Sequence, residues 1–143
     1  MLKIIEVHPA TTTQGEYIVL QNQGLGTVSL RGWALCTDAY LEADPARMAQ
    51  EMYVFREEIA IKPYTRVVLF TGSGEDDWVP TTDGRQAYCA YWNRRDRLWS
   101  SAAHVHLLHL LASRVVVPQA TLPVASTALS AWSTTLPLPS SPH

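Results

Sequence analysis

Three kinds of side chain in this sequence come in spacings that could do chemistry: a group of histidines, a run of arginines and a short acidic stretch. His104, His106 and His109 are the closest approach to a metal site. On a strand, His104 and His106 share one face at a spacing that suits two ligands of a single ion. His109 then falls on the opposite face unless a turn intervenes, and no acid or cysteine lies nearby in the sequence to complete a tetrahedral set. The preferred reading makes these imidazoles the solvent face of an amphipathic strand. A metal-dependent hydrolase using His104, His106 and His109 is the weakest alternative.

The run Trp92-Asn-Arg-Arg-Asp-Arg-Leu-Trp99 interleaves arginines with tryptophans. Guanidinium groups bind phosphate and exposed indoles stack on bases, so Arg94, Arg95 and Arg97 are the candidate contacts to nucleic acid or another partner. The plainer expectation turns the tryptophans inward and leaves the arginines flanking a turn, paired with Asp96 or the acidic stretch. Glu75-Asp76-Asp77, with Asp83 close behind, offers oxygens to calcium, but the spacing is not that of an EF-hand loop. It reads as a solvated turn. Ser73 lies between glycines without a Gly-x-Ser-x-Gly elbow, and no lysine or helix follows to make Gly72-Ser-Gly74 a phosphate loop. No catalytic residue, metal ligand or cofactor is therefore expected, and the chain reads as a non-enzyme.

The elements that must position these residues are short and alternate with period two. Glu16–Asn22 and Val28–Leu35 place Ile18, Leu20, Val28 and Leu30 on interior faces. Gly24 and Gly26 supply a hairpin connection between them. Gly32 permits a bend, after which Trp33 fills the centre of a two-layer core. Lys3–Val7 reads as a first strand with Ile5 and Val7 facing in and Glu6 facing out. Asp44-Pro45 caps a short helix through Met52, whose methionines either lie on the flank of the sheets, the preferred reading, or present a partner-binding insert. Tyr53–Phe55, Arg66–Phe70 and Ala87–Trp92 read as strands, with Arg66–Phe70 central. Asp83-Gly84 makes a hairpin turn. Arg97–Leu108 holds further strands, and Arg114–Val117 is the last. The expected core is Ile5, Val7, Ile18, Leu20, Val28, Leu30, Trp33, Leu35, Phe55, Val67, Leu69 and Trp92. Many short strands, regular turn signals and one helical insert add up to an all-β sandwich.

With 143 residues and a hydrophobic fraction of 47 %, the chain suits one globular domain with a tail. A net charge of −2 gives no global attraction to nucleic acid or acidic membranes. A sandwich can bring Cys36 and Cys89 face to face as a disulfide, but with no secretory leader ahead of a strand-like start the preferred reading leaves them free and buried. No apolar run is long enough for a transmembrane helix. Beyond Pro118 the sequence is uncharged and rich in Pro, Ser, Thr, Ala and Leu, which reads as a low-complexity tail.

Taken in order, Glu16-Tyr-Ile-Val-Leu-Gln-Asn22, Leu30-Arg-Gly-Trp-Ala-Leu35, Tyr53-Val-Phe55, Ile61-Lys-Pro63, Arg66–Gly74 and Tyr91-Trp-Asn-Arg-Arg-Asp96 resemble the lamin tail domain, bacterial members included. The chain departs from that pattern at Val19, where an acid is usual, and at Arg95, where a glycine is. It also departs at Ala112-Ser113, where an Asp-then-Gly turn is usual. The resemblance implies an immunoglobulin-like β-sandwich over residues 1–117; the short helical insert, long for this loop in the family, and the Pro/Ser/Thr-rich C-terminal tail over 118–143, disordered or loosely docked, are read from the residues themselves. It implies a scaffold or interaction module with a protein partner and no enzymatic activity. A DNA-binding adaptor acting through Arg94–Arg97 is the alternative.

Overall fold

The computed structural model describes residues 1–111 and 115–124. Along the chain run β1 (Leu2–His8), β2 (Tyr17–Asn22), β3 (Val28–Ser29), β4 (Trp33–Cys36), α1 (Pro45–Glu51), β5 (Met52–Val54), β6 (Ala60–Ile61), β7 (Arg66–Phe70), β8 (Asp77–Pro80), β9 (Gln86–Tyr91), β10 (His104–Leu111) and β11 (Val115–Pro123). Short 3-10 turns at Asp38–Tyr40 and Trp99–Ser101 break the rhythm. One sheet has the order β1-β2-β7-β9-β8, a second β11-β10-β4-β5, and β3 pairs with β6 as a small third ribbon. All pairings are antiparallel except β7 with β9.

Alternation explains the layers. Successive side chains of a strand point to opposite faces, so every second residue can enter one core. Ile18, Leu20, Val67 and Leu69 from the first sheet meet Trp33, Leu35, Val105 and Leu107 from the second, all buried. This is the expected all-β sandwich, with Arg66–Phe70 as its central strand. Gly32, at φ 87°, makes the expected bend, and a side chain there would press against the Leu110 carbonyl at 3.2 Å. Trp33 follows it, 6 % exposed and stacked on His109 with ring centroids 4.3 Å apart. Asp83-Gly84 forms the turn between β8 and β9, with Gly84 at φ 81°.

The insert also follows its sequence. Asp44 caps α1 by accepting from the Arg47 N–H at 3.2 Å, with Pro45 in the first turn. Met48 and Met52 pack on Ala34, Cys36 and Leu108, the outer flank of the second sheet. Cys36 lies in that layer and Cys89 on the outer face of the other sheet, so both thiols are free and the sandwich separates them. Burial raises each to about 11, which keeps both protonated and unreactive near neutral pH.

Four expectations change. A β-bulge between Ile4 and Glu6 shifts the phase of β1, so Leu2, Ile4 and Val7 face the core while Ile5 packs on the outer face of its sheet. The glycines at 24 and 26 do not close a hairpin. Val28 pairs instead with Ile61, and Asn22 shapes the connection by donating its side-chain amide to the Gly26 and Ile61 carbonyls, both at 2.9 Å. Residues 97–103 hold no strand; the 3-10 turn there inserts Trp99, fully buried and absent from the expected core. Finally, β11 runs on through Pro118 to Pro123, so five residues assigned to the tail pair with β10, with Gln119 skipped at a register shift. Residues 125–143 of that expected tail lie outside the described residues. Val28 and Trp92 reach the core only half-buried.

Trp33→Ala removes an indole held between the two sheets and is expected to cost about 3–5 kcal/mol. Urea unfolding followed by circular dichroism measures it. A midpoint close to that of the unaltered protein would show that the indole does not fill the intersheet gap.

Candidate functional site

The arginine loop begins where β9 ends. Asn93 adopts φ 61°, a left-handed conformation that asparagine tolerates better than most side chains, and turns the chain out of the sheet. Its backbone N–H bonds the Gly72 carbonyl at 3.0 Å, and the Arg94 N–H bonds that of Thr71 at 2.9 Å. Trp92 packs at the core margin against Tyr53 and Trp99, as the alternating aromatic pattern predicts.

The guanidinium groups are used close to home. Arg94 lies over the Trp92 ring, 4.9 Å from its centroid, and donates to the Gln50 and Asp96 carbonyls. Arg97 donates to the Ala10 carbonyl at 2.7 Å, tying its loop to the one before β2. Neither forms the expected ion pair with Asp96 or the acidic turn. Arg95 is exposed and makes no hydrogen bond or ion pair among the described residues. The structure therefore brings Arg94, Arg95 and Arg97 onto one loop, but two of the three fasten backbone.

Behind that loop stands a group that the sequence reading did not single out. Glu16 is fully buried, and among the described residues it has no cation within ion-pair distance. Its Oε1 accepts from Thr71 Oγ1 at 2.6 Å and Leu98 N–H at 3.0 Å; its Oε2 accepts from Ser100 N–H at 2.8 Å and Ser100 Oγ at 2.6 Å. Burial alone would push this carboxyl up, but the bonds from Leu98, Ser100 and Thr71 outweigh it and hold the group below the ordinary range. Glu6 shows the reverse balance. It is 4 % exposed on the outer face of β1, where burial pushes its carboxyl up to about 7 against the opposing effects of Tyr17 and Arg66.

The histidines separate as their strand phase dictates. His104 and His106 share a face and His109 turns to the core side, against Trp33. The acid missing from the nearby sequence arrives from the 3-10 turn after β4. Asp38 Oδ1 lies 2.6 Å from His106 Nε2, and Asp38 Oδ2 lies 3.1 Å from His104 Nδ1. With Nε2–H donated to Asp38, His106 Nδ1 accepts from the Thr121 hydroxyl at 2.8 Å. The bond from His106, then that from His104, holds the Asp38 carboxyl below its usual range. The cluster thus ties the helical insert to β10. Only long-range pairing could reveal it, since 66 and 68 residues separate Asp38 from its partners.

The acidic stretch is spent on turns: Asp76 accepts from the Tyr91 N–H at 2.8 Å, Asp77 from that of Trp78 at 2.8 Å, and Asp83 from that of Arg85 at 3.1 Å. Among the described residues, no group of three or more His, Cys, Asp or Glu side chains is arranged to hold a metal ion. Ser73 is exposed in the loop after β7. No helix among the described residues is long and apolar enough to cross a membrane.

Two pH effects of opposite sign follow. Glu16 is more acidic in the folded chain, so its contribution is present above its unfolded value of 4.5 and is lost as pH falls. Glu16→Gln is expected to lower stability by about 2–4 kcal/mol at neutral pH, because an amide nitrogen cannot accept the bonds of one oxygen, and to shift the acid-unfolding transition. Glu6 binds its proton more tightly when folded, so stability declines from pH 4.5 upward through about 7. Glu6→Gln should flatten that decline. Denaturation midpoints across the pH range check both, and parallel curves for variant and parent would contradict them. No family model matches this chain, and no curated protein matches it significantly.

Proposed function

We propose that this chain is a non-enzymatic interaction module that binds another macromolecule, a protein, through its loops or an exposed sheet edge. In this reading it is an immunoglobulin-like sandwich of the lamin tail type and serves as a scaffold. The ordered motifs from Glu16 to Asp96 support the family assignment. The single observation that supports the binding mode is the asymmetry of the sandwich. On one side β1 lies against β11, while on the other β5 and β8 end their sheets with backbone unpaired among the described residues. An unpaired edge is a ready template for an added strand.

The DNA-binding alternative through Arg94, Arg95 and Arg97 draws less support. Phosphate recognition needs guanidinium donors directed outward, and those of Arg94 and Arg97 reach the Gln50, Asp96 and Ala10 carbonyls. A hydrolase using the histidines draws least, because both ring nitrogens of His106 already have partners and His109 faces away from the other two.

Photocrosslinking residues placed at Val54 and at Arg95, followed by capture from a lysate of the source organism, test this reading. A protein adduct at either position is expected, and its absence at both would overturn the proposal. Retention on a DNA column provides the contrast. Salt-dependent retention that is lost in Arg94→Glu combined with Arg97→Glu would favour the nucleic-acid alternative.

A further inference from the structure

The open side of the sandwich has a specific shape and charge. Between β5 and β9 lies a groove of about 260 Å³. Tyr53, Phe55, Ile59 and Tyr88 line it together with two carboxylates, Glu57 and Asp76, and one cation, Arg56. Tyr53 meets Phe55 edge-on with ring centroids 5.0 Å apart. Tyr88 meets Trp78 edge-on as well, at 5.4 Å, so the aromatic rings brace one another beside a space large enough for a long side chain.

Among the described residues, the backbone beside the groove is free in one register only. Residues 51 and 55 bond to β4: the Phe55 N–H to the Trp33 carbonyl at 2.9 Å and the Thr37 N–H to the Glu51 carbonyl at 3.4 Å. Tyr53, opposite Leu35, shares that phase. By the alternation of an antiparallel ladder, the N–H and C=O groups of Met52 and Val54 then point away from β4, toward the open edge. A strand added there would lie about 4.8 Å from β5. Every second side chain of that strand would fall on the inner face of the sheet, over the mouth of the groove.

We propose that this groove takes the cationic side chain of a lysine or arginine carried by an extended partner segment that adds to β5 as a further strand. The inference rests on the reading of the chain as a protein-binding module and names the chemistry of its partner. Charge complementarity selects the occupant. Glu57 and Asp76 both act on the Tyr53 and Tyr88 hydroxyls, and Asp77 acts on Tyr88 as well; Arg56 alone opposes them, at Tyr53. Burial first, and these carboxylates after it, raise both phenols, Tyr53 to about 12, so the walls stay neutral and hydrogen-bonding. A cation lodged among aromatic rings and carboxylates gains from both, whereas an apolar side chain gains only contact and an anion is repelled.

Fluorescence anisotropy with short extended peptides of alternating Thr and Val tests this. Their central residue is Lys, Arg, norleucine or Glu. The Lys and Arg peptides are expected to bind at least about tenfold more tightly than the norleucine peptide, with the difference shrinking as salt rises. Glu57→Gln combined with Asp76→Asn should bring them down to the norleucine level. The amide introduced at position 76 keeps an oxygen for the Tyr91 N–H, so the fold is retained. Val54→Pro removes an outward N–H without touching the bonds to β4, and should weaken every peptide. Unfolding midpoints close to the parent's confirm that both variants fold. Equal binding of Lys and norleucine peptides, or binding of none, would overturn the inference. If no peptide binds while the Val54 or Arg95 crosslinker still traps a protein, this inference falls and the module reading stands; if the trap is empty too, both fall.

Discussion

A buried carboxylate with no counter-cation among the described residues is the constraint on which the arrangement of this molecule turns. Glu16 stays ionised in the interior only because four hydrogen-bond donors converge on it, and those donors come from two separate loops. Leu98 and Ser100 are the two neighbours of Trp99. Bonding both of their N–H groups clamps the chain on either side of that indole and drives it into the core. Thr71, the third source, stands where β7 gives way to the loop that carries Ser73 and Gly74. The strand ends, the arginine loop and a large part of the hydrophobic centre are therefore set by one polar node. Leaving any of its donors or oxygens unpaired in the interior would cost on the order of 1–3 kcal/mol each.

What local pattern could express was legible in the residues. Alternation located β2, β4, β7 and β9, Asp44-Pro45 marked the start of α1, and Gly32 marked the bend before Trp33. Apart from the extension of β11, a local hairpin with β10, the misreadings share a cause: each depended on a pairing between distant segments. Ile5 follows period two on paper, but the bulge in β1 exists only in relation to β2. The glycines after Asn22 suit a hairpin, yet β2 is already paired on both sides, with β1 and β7, and leaves no edge for Val28. Trp99 was hidden because its burial is dictated by Glu16, more than eighty residues earlier. The partner of the histidines was hidden in the same way, since Asp38 reaches them through the β4–β10 pairing. For the candidate site, the arginine loop could be located from sequence, but whether its donors face out or in could not.

The two long sides of the sandwich divide the work. Where β1 meets β11, half-buried Leu122 and Val124 pack into the common core and seal it. Where β5 and β8 lie, the layers part and leave aromatic walls between acidic loops. The basic loop stands between these regimes, spending its charge on backbone carbonyls and on an indole. A surface built this way presents negative charge and unpaired backbone on its open side, and uses its positive charge as mortar.

The order of the second sheet carries a consequence for biosynthesis. Its strands come from two separated stretches of the chain: β4 and β5 are made before β7, β8 and β9, whereas β10 and β11 are made after them. The other sheet is complete once β9 has left the ribosome. During translation, Trp33 and Leu35 therefore wait with one layer in place and the covering one unfinished. A nascent polypeptide with one layer uncovered is open to misassembly in that interval, which closes for these two side chains when the β10–β11 hairpin arrives.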